Sequence, residues 1–283
     1  MQAIIITIGD ELLIGQVIDT NSAYMATCLN RYGVEVLEDI SVHDDAQQIA
    51  DAVHYAMGKA PIVLLTGGLG PTKDDITKRV LCDYFHTTLV PDETVRTHIY
   101  DLYKERPDVL NRLTETQWQV PANATILPNR VGSAPLMAWL QDGHCLVSMP
   151  GVPYEMQIAM DEQIIPFLSA HILPKETQQI THRTVLVHGI PESALAIRIE
   201  DWETSLPPAM HLAYLPKDGL IRLRLSGYGV APEAVDAQIH TLLPLIQDYL
   251  LATEDKPLEV LVGEALKRNN QTIATAESCT GGR

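Results

Sequence analysis

The chain has 283 residues, more than one hydrophobic core usually contains, so we expect at least two domains. Hydrophobic residues make up 46% of the chain and charged residues 20%, which is typical of soluble globular proteins. The net charge of −16 excludes nucleic acid from the expected partners, because binding to a phosphate backbone needs clustered Lys and Arg.

Cysteine spacing and hydropathy indicate the compartment. The four cysteines form no Cys-x-x-Cys pair, which fits a reducing cytosol and predicts neither a disulfide framework nor a zinc site. No apolar run is long enough for a signal peptide or a membrane span. We therefore expect a cytoplasmic protein that does not interact with membranes.

Residues 1–172 are predicted to form a first domain in which strands and helices alternate. Hydrophobic runs and capping signals predict strands over 3–8, 34–42 and 62–66, and helices over 21–32, 45–57 and 72–85. Asn21 or Ser22 is the predicted cap of the first helix. Such alternation indicates a mainly parallel sheet covered on both faces, with the ligand site in the loops that follow the strands.

The rest of this domain is predicted to be less regular. We expect a helical insertion over 93–119, a loop over 121–135, and a hairpin with strands 139–141 and 145–149. A helix over 154–168 follows the Pro-Gly-Val-Pro loop at 150–153, whose rigidity favours a structural role.

Two further domains are predicted after a change of composition near Lys175. A strand over 180–188, a helix over 192–202, two strands around 217–219 and a helix over 232–251 indicate a small α+β domain at 175–253. Residues 257–283 contain a predicted helix over 259–268 and a predicted strand over 272–275. Because a glycine turn follows that strand, we expect residues 257–283 to be the start of a truncated third domain.

The most informative run is Thr-Gly-Gly-Leu-Gly-Pro-Thr-Lys-Asp-Asp-Ile-Thr at 66–77, directly after the third strand. Its glycines allow backbone N–H groups to approach a ligand closely. Asp74 and Asp75 follow in the first turn of the helix predicted to start near Thr72. Backbone donors beside carboxylates suit a phosphate that is bridged to a hard cation such as Mg²⁺. Either aspartate alone is better explained as a helix cap, whereas the whole run favours a ligand site.

A second acidic turn, Gly9-Asp10-Glu11, follows the first strand. The ends of parallel strands lie side by side, so Asp10 and Glu11 are expected near the glycine-rich run, where they would help to bind a metal-bridged diphosphate. The run at 43–45, His-Asp-Asp, is interpreted as a helix cap. The sequence contains neither a Gly-x-Gly-x-x-Gly motif after the first strand nor a Gly-Lys-Ser/Thr motif, which excludes dinucleotide-binding and Walker A interpretations.

These runs together resemble the CinA family, the competence/damage-inducible proteins. The resemblance rests on Gly-Asp-Glu-Leu-Leu at 9–13 with Gly15 and Asn21, the glycine-rich run at 66–75, residues 128–135, Met-Pro-Gly-Val-Pro at 149–153 with residues 155–156, and Thr-Ala-Glu-Ser-Cys-Thr-Gly-Gly at 275–282. They occur in family order along the whole chain. The last two runs narrow the resemblance from cofactor-biosynthesis proteins in general to this family.

The resemblance implies a chain of three parts. Residues 1–172 would have a three-layer α/β fold with a mainly parallel sheet, similar to molybdopterin-binding domains, and would act as a metal-dependent ADP-ribose pyrophosphatase. Residues 175–253 would form a small α+β domain with a KH-like fold. Residues 257–283 would open a nicotinamide-mononucleotide deamidase domain with Ser278 as its catalytic serine, and we expect no deamidase activity from this opening alone.

The leading hypothesis is hydrolysis of ADP-ribose to AMP and ribose 5-phosphate by a homodimer that needs Mg²⁺, Mn²⁺ or Co²⁺, with K⁺ as a further candidate ion. Two alternatives stay open: a non-catalytic pterin- or nucleotide-binding module related to molybdenum-cofactor biosynthesis proteins, and a structural dimer whose activity lies in the truncated domain. The expected metal ligands are Asp10, Glu11, Asp74 and Asp75. The expected catalytic residues are Asp75, Asp74, Asp10 and Ser278, and the expected substrate-binding residues are Gly67, Gly68, Gly70, Thr72 and Asn21.

Overall fold

The structure is a computed structural model that describes residues 1–106, 110–111, 114–174, 180–217 and 219–278. The chain divides into two compact units, Met1–Gln178 and Gln179–Arg283. The strands of the first unit are β1 (Gln2–Ile8), β2 (Glu35–Val42), β3 (Ile62–Thr66), β4 (Leu89–Pro91), β5 (Gln119–Pro121), β6 (Thr125–Leu127), β7 (Leu136–Gln141) and β8 (His144–Met149). Its α-helices are α1 (Asp10–Leu13), α2 (Asn21–Arg31), α3 (Ala46–Lys59), α4 (Thr77–Tyr84), α5 (Glu93–Leu102), α6 (Pro153–Ala159) and α7 (Ile165–His171).

Six strands of the first unit form one sheet in the order β2-β1-β3-β8-β7-β6. The first four run parallel to one another, whereas β7 and β6 are antiparallel to their neighbours. The loops that follow Ile8, Val42, Thr66 and Met149 therefore meet at one edge of the sheet. β4 and β5 form a separate antiparallel pair.

Helices cover both faces of this sheet, which gives three layers. Ala3 and Ile5 of β1 face one core, which includes residues of α2, α6 and α7, whereas Ile4 and Ile6 face a second core with residues of α3 and α4. All four side chains are fully buried. A continuous apolar strand is the pattern expected when both faces of a parallel sheet are covered. The predicted mixed α/β fold with a mainly parallel sheet is therefore confirmed.

The helix after β3 begins at Thr77, later than the start predicted near Thr72. Residues 67–76, here called the glycine loop, are not helical, because the Asp75 carboxylate accepts hydrogen bonds from the backbone of Gly70 and Thr72. Asp74 and Asp75 consequently lie in this loop, and their predicted position in the first helical turn was wrong.

Other local predictions differ in detail. α2 is capped by Asp19, whose Oδ1 accepts hydrogen bonds from the N–H groups of Asn21 and Ser22. Residues 125–127, predicted as loop, form β6 because they pair with β7. The predicted insertion over 93–119 contains α5 and a 3-10 helix at Thr114–Trp118, but 107–109 and 112–113 lie outside the described residues.

The second unit contains β9 (Ile180–His188), α8 (Glu192–Thr204), β10 (Met210–Lys217), β11 (Leu220–Tyr228), α9 (Pro232–Ile246), β12 (Leu250–Ala252) and α10 (Leu258–Arg268). Its antiparallel sheet has the order β10-β11-β9-β12, and its core combines residues of these strands with α8 and α9. The helix predicted over 232–251 ends at Ile246, and β12 pairs with β9 instead. The strand predicted over 272–275 is absent, and these residues are exposed. In the described part of the chain, no helix is long and apolar enough to cross a membrane.

Candidate functional site

A cavity of about 530 Å³ lies at the sheet edge where the parallel strands end. Its lining comes from the turn after β1, from Asp44 after β2, from the glycine loop after β3 and from residues 150–153 after β8. Ligands of open α/β sheets bind at this edge, because the loops that follow the parallel strands converge there. The cavity therefore brings together runs that the sequence analysis considered separately.

Gly67 and Gly68 have φ angles of 109° and 63°, which favour glycine. A Cβ at Gly67 would collide with Ile8 O, and a Cβ at Gly68 would collide with the Thr77 hydroxyl. That hydroxyl donates a 3.1 Å hydrogen bond to Gly67 O and so connects the glycine loop to α4. Packing within the protein is thus sufficient to require glycine at both positions.

The backbone N–H groups of the glycine loop are only partly available to a ligand. Gly67 donates at 3.1 Å to the last carbonyl group of β8, and Gly70 donates at 2.7 Å to Asp75 Oδ1. These two glycines were expected to bind phosphate, but their N–H groups are used within the protein. The N–H groups of Gly68 and Leu69 have no acceptor among the described residues. Both residues line the cavity, so these two N–H groups are available to a ligand.

The cavity is acidic: six carboxylate side chains line it, and none of its described lining residues is Lys, Arg or His. The Glu11 carboxylate lies against Gly9 and has no hydrogen-bond partner among the described residues. Burial raises the pKa of the Asp44 carboxyl, and the negative charges of Asp10, Glu11 and Asp74 raise it further. The six acidic residues are Glu11, Asp19, Asp44, Asp74, Asp75 and Glu155.

Asp10 does not belong to this lining, although it was expected to bind metal. Its Oδ1 lies 2.8 Å from His43 Nδ1 and accepts from the Asp44 N–H at 3.4 Å. Its own N–H donates to Asp44 Oδ2 at 3.2 Å. The turns after β1 and β2 are thereby connected, and Asp10 orients Asp44. The sequence run at 43–45 predicts a helix cap and not a cavity carboxylate at Asp44. The signal for the cavity is that Asp44 follows β2, the neighbour of β1 in the sheet.

Asn21 and Thr66 connect three of the loops around the cavity. Asn21 Nδ2 donates at 2.8 Å to Gly151 O and lies 3.5 Å from Thr66 Oγ1. The Thr66 hydroxyl donates at 2.8 Å to Pro150 O. Both side chains are buried. Asn21, an expected ligand residue, therefore also holds the loop at 150–153 in place.

Glu155 and Asn129 form a further connection that the sequence analysis did not identify. Asn129 Nδ2 donates at 2.8 Å to Glu155 Oε2 and at 2.9 Å to Ala134 O. Asn129 Oδ1 accepts from the Gly132 N–H at 3.1 Å, and a Cβ at Gly132 would collide with the Glu155 carboxylate. The pair thus fixes the loop before β7 against the start of α6.

Three predicted parts of the site remain: a metal centre, Thr72 and Ser278. Among the described residues, no three His, Cys, Asp or Glu side chains are arranged to hold a metal ion by themselves. Thr72 lies outside the cavity lining and donates its N–H and its hydroxyl to Asp75. Ser278, in the second unit, is exposed, and the run that follows it lies outside the described residues.

Comparison with known families gives two matches. The probable molybdopterin binding domain matches residues 4–170, and the damage-inducible protein CinA KH domain matches residues 182–252. The first match spans more than half of the chain and contains every residue that lines the cavity.

Several relatives are similar over nearly the whole chain. A CinA-like protein of Flavobacterium psychrophilum is 44% identical, covering 100% of this chain and 68% of the relative. A CinA-like protein of Cytophaga hutchinsonii is 43% identical, covering 98% of this chain and 67% of the relative. The solved structure of the protein CinA from Thermoplasma acidophilum, described there as of unknown function, is 29% identical, with a TM-score of 0.53 over 60% of this chain and 97% of that chain. The chain therefore belongs to the CinA family, with a molybdopterin-binding-like domain followed by a CinA KH domain.

Proposed function

We propose that the cavity hydrolyses the diphosphate linkage of a nucleotide, with ADP-ribose as substrate and AMP and ribose 5-phosphate as products. The observation that carries this proposal is the combination of two unpaired backbone donors, at Gly68 and Leu69, with an acidic lining. Backbone N–H groups bind phosphate oxygens, and carboxylates bind divalent cations.

Charge balance supports a divalent metal as cofactor. A diphosphate would enter a cavity whose described lining has six carboxylates and no basic side chain, so a bound cation is required to offset the repulsion. Glu11, Asp44 and Asp74 offer the hard oxygen ligands that Mg²⁺, Mn²⁺ or Co²⁺ accept, and Mg²⁺ commonly completes its shell with substrate phosphates and water. A divalent ion bound there would polarise the phosphate and lower the pKa of a bound water.

The chain's own residues would position the substrate. The N–H groups of Gly68 and Leu69 would orient a phosphate oxygen, and the Asp75 hydrogen bonds would keep the glycine loop in the conformation that presents them. Asp10 would act indirectly, because it orients Asp44. The loop at 150–153, held by Asn21 and Thr66, would close the opposite wall.

A second candidate is non-catalytic binding of a pterin or a nucleotide. The family match supports it, since the matching family is described as a probable molybdopterin binding domain. The same donors and carboxylates would then hold a ligand without turnover.

The test is to incubate the protein with ADP-ribose and Mg²⁺, Mn²⁺ or Co²⁺, with and without K⁺, and to separate the products by chromatography. We expect AMP and ribose 5-phosphate in equal amounts, none with EDTA, and a strong decrease in Asp74→Asn. Asp45→Asn is the control, because Asp45 caps α3 and lies outside the cavity lining. Calorimetric binding of ADP-ribose without product would support the binding module and contradict hydrolysis.

A further inference from the structure

Two buried oxygen atoms near the start of α2 lack a hydrogen-bond donor. They are Asp19 Oδ2 and Asn21 Oδ1, and neither has a partner among the described residues. Both residues line the cavity, and Asn21 is only 9% exposed. Buried polar atoms in native proteins are nearly always paired, so an unpaired acceptor at a cavity indicates a ligand donor.

The hydrogen bonds around these atoms fix the direction of both acceptors. Asp19 Oδ1 caps α2 by accepting from the N–H groups of Asn21 at 2.9 Å and Ser22 at 3.0 Å, which leaves Oδ2 free. Asn21 Nδ2 donates to Gly151 O at 2.8 Å. A backbone carbonyl can only accept, so the amide nitrogen must face Gly151, and Oδ1 is on the other side.

A ligand at this position must supply two donors. A phosphate group does not, because it offers acceptors only and would be repelled by the Asp19 carboxylate. Two neighbouring hydroxyl groups of a sugar fit, and carboxylates that bind ribose hydroxyls are a general solution in nucleotide sites. Val17 and Ile18, which precede Asp19 and also line the cavity, are 51% and 84% exposed and offer apolar surface for the carbon face of a sugar ring.

Asn21 contacts the residue that precedes the glycine loop, and both acceptors belong to residues that line the same cavity as that loop. Asn21 Nδ2 is 3.5 Å from Thr66 Oγ1, and Thr66 directly precedes the glycine loop. In a ribose 5-phosphate unit the sugar ring and the C5 methylene group separate the 2- and 3-hydroxyls from the phosphate. Both sets of protein groups line the same cavity, which is the basis for assigning them to one such unit.

We propose that Asp19 Oδ2 and Asn21 Oδ1 accept hydrogen bonds from the 2- and 3-hydroxyls of a ribose whose 5-phosphate binds at Gly68 and Leu69. This inference rests on the proposed function, since it assigns the ribose of that substrate. ADP-ribose contains two such units, one in its AMP half and one at its other end. The chemistry of recognition is the same for both, and the experiment separates them.

The test compares wild type with Asp19→Asn, in which Oδ1 still caps α2 but a donor replaces the free acceptor. Affinities are measured by calorimetry for ribose 5-phosphate against 2-deoxyribose 5-phosphate, and for AMP against 2′,3′-dideoxy-AMP, each with Mg²⁺. We expect wild type to prefer the hydroxylated member of one pair by about tenfold, as expected for a hydrogen bond to a charged group. The pair of ligands for which wild type shows this preference identifies which ribose of ADP-ribose binds at this position.

Asp19→Asn should reduce this preference to about twofold or less, because its new amide cannot accept a hydroxyl proton. Asp45→Asn is the matched control: Asp45 also accepts two backbone hydrogen bonds at a helix start, but outside the cavity, and it should keep the tenfold preference. If Asp19→Asn does not fold, Asp19→Ser retains a capping oxygen and removes the second one.

An equal affinity of wild type for both members of both pairs, an absence of binding to all four, or an unchanged preference in Asp19→Asn would overturn the inference. ADP-ribose hydrolysis by wild type is measured separately. Hydrolysis without ribose discrimination would contradict this subsite and leave the proposed function standing. If wild type prefers the hydroxylated ligand, Asp19→Asn loses that preference, and wild type does not hydrolyse ADP-ribose, the result would support the subsite and contradict the proposed hydrolase activity.

Discussion

Asp75 and Gly70 form a hydrogen bond that determines the conformation of the glycine loop. Asp75 Oδ1 accepts from the Gly70 N–H at 2.7 Å, and Oδ2 accepts from the N–H of Thr72 at 2.8 Å. A Cβ at Gly70 would lie 2.5 Å from Oδ2, so glycine at this position allows the carboxylate to approach the backbone. The carboxylate thus acts on the loop that presents Gly68 and Leu69 to the cavity.

Asp75→Asn should therefore act through the loop. An amide retains one acceptor oxygen, so a backbone N–H of the loop loses its partner, and we expect the free energy of unfolding to fall by about 1–3 kcal/mol. ADP-ribose hydrolysis should decrease as well, and saturating Mg²⁺ should not restore it. Urea unfolding and a Mg²⁺ titration of the rate measure the two effects. Full rescue at high Mg²⁺ with unchanged stability would instead identify Asp75 as a metal ligand.

Gly68→Ala should destabilise the protein more than Gly143→Ala. Both glycines have positive φ, 63° and 80°, where an L-residue costs about 1–2 kcal/mol. A Cβ at Gly68 would also collide with the Thr77 hydroxyl, whereas a Cβ at Gly143 has open space around it. The difference in unfolding free energy should be at least about 1 kcal/mol. If urea unfolding shows equal losses of stability for the two variants, the Thr77 side chain can move aside without a free-energy cost.

Glu11→Gln and Asp10→Asn should differ in their effect on metal dependence. Glu11 lines the cavity, so loss of its charge should raise the Mg²⁺ concentration for half-maximal hydrolysis by about tenfold. Asp10 is exposed outside the lining and lies beside His43, so Asp10→Asn should change that concentration by no more than roughly twofold. Steady-state rates over a Mg²⁺ series measure both. A larger effect of Asp10→Asn would contradict the positioning role assigned to Asp10.

Lys78 should make stability depend on pH in the alkaline range. Its side chain is 9% exposed, its Nζ donates to Thr116 O and Gln117 O, and burial lowers its pKa from 10.5 to about 8. Between pH 8 and 10.5 the unfolded chain holds more protons at this site, so the contribution of Lys78 to stability rises with pH, by up to about 3 kcal/mol.

The measurement is urea unfolding of wild type and Lys78→Met at pH 7, 8, 9 and 10. The free energy of unfolding of wild type relative to that of Lys78→Met should increase as the pH rises. Lys104→Met is the control, because Lys104 is exposed, and its difference from wild type should stay constant. A pH-independent difference for Lys78→Met would show that the burial of its amine does not affect protonation.

The second unit should not bind RNA. Residues 175–255 contain six Lys and Arg against eleven Asp and Glu, a net charge of −5. Three of these cations, Arg183, Arg198 and Arg222, form ion pairs with carboxylates of the same unit. Residues 175–255 also lack the Gly-x-x-Gly loop with which KH modules hold an RNA backbone. Filter binding with single-stranded RNA tests this, and micromolar binding with a steep salt dependence would contradict it.

Much of the fold was predictable because its signals are local. β1 and β3 are continuous apolar runs, and the hairpin of β7 and β8 turns at Asp142-Gly143, where both residues have positive φ. Asp45, predicted as a cap, does cap α3 through its side chain. Such features depend on neighbouring residues, so the sequence around them is sufficient to predict them.

The site was predictable only in its location. The runs after β1 and β3 do meet at one cavity, because parallel strands end at the same edge. The roles of individual groups were harder to predict. The Asp10 carboxylate contacts His43, and the Gly67 N–H donates a hydrogen bond to the last carbonyl group of β8. The partners of these groups are distant in sequence, so no local pattern indicates them.

The sequence by itself determined the family, the alternation of strands and helices, and the strand ends at which the cavity forms, because motifs and hydrophobic periodicity are properties of short segments. Only the tertiary structure decided which polar groups remain for a ligand. Each backbone N–H and each carboxylate oxygen can be satisfied inside the protein, and most of them are. At Gly68, Leu69, Asp19 and Asn21, which line the cavity, packing left an N–H group or an oxygen atom without a partner among the described residues.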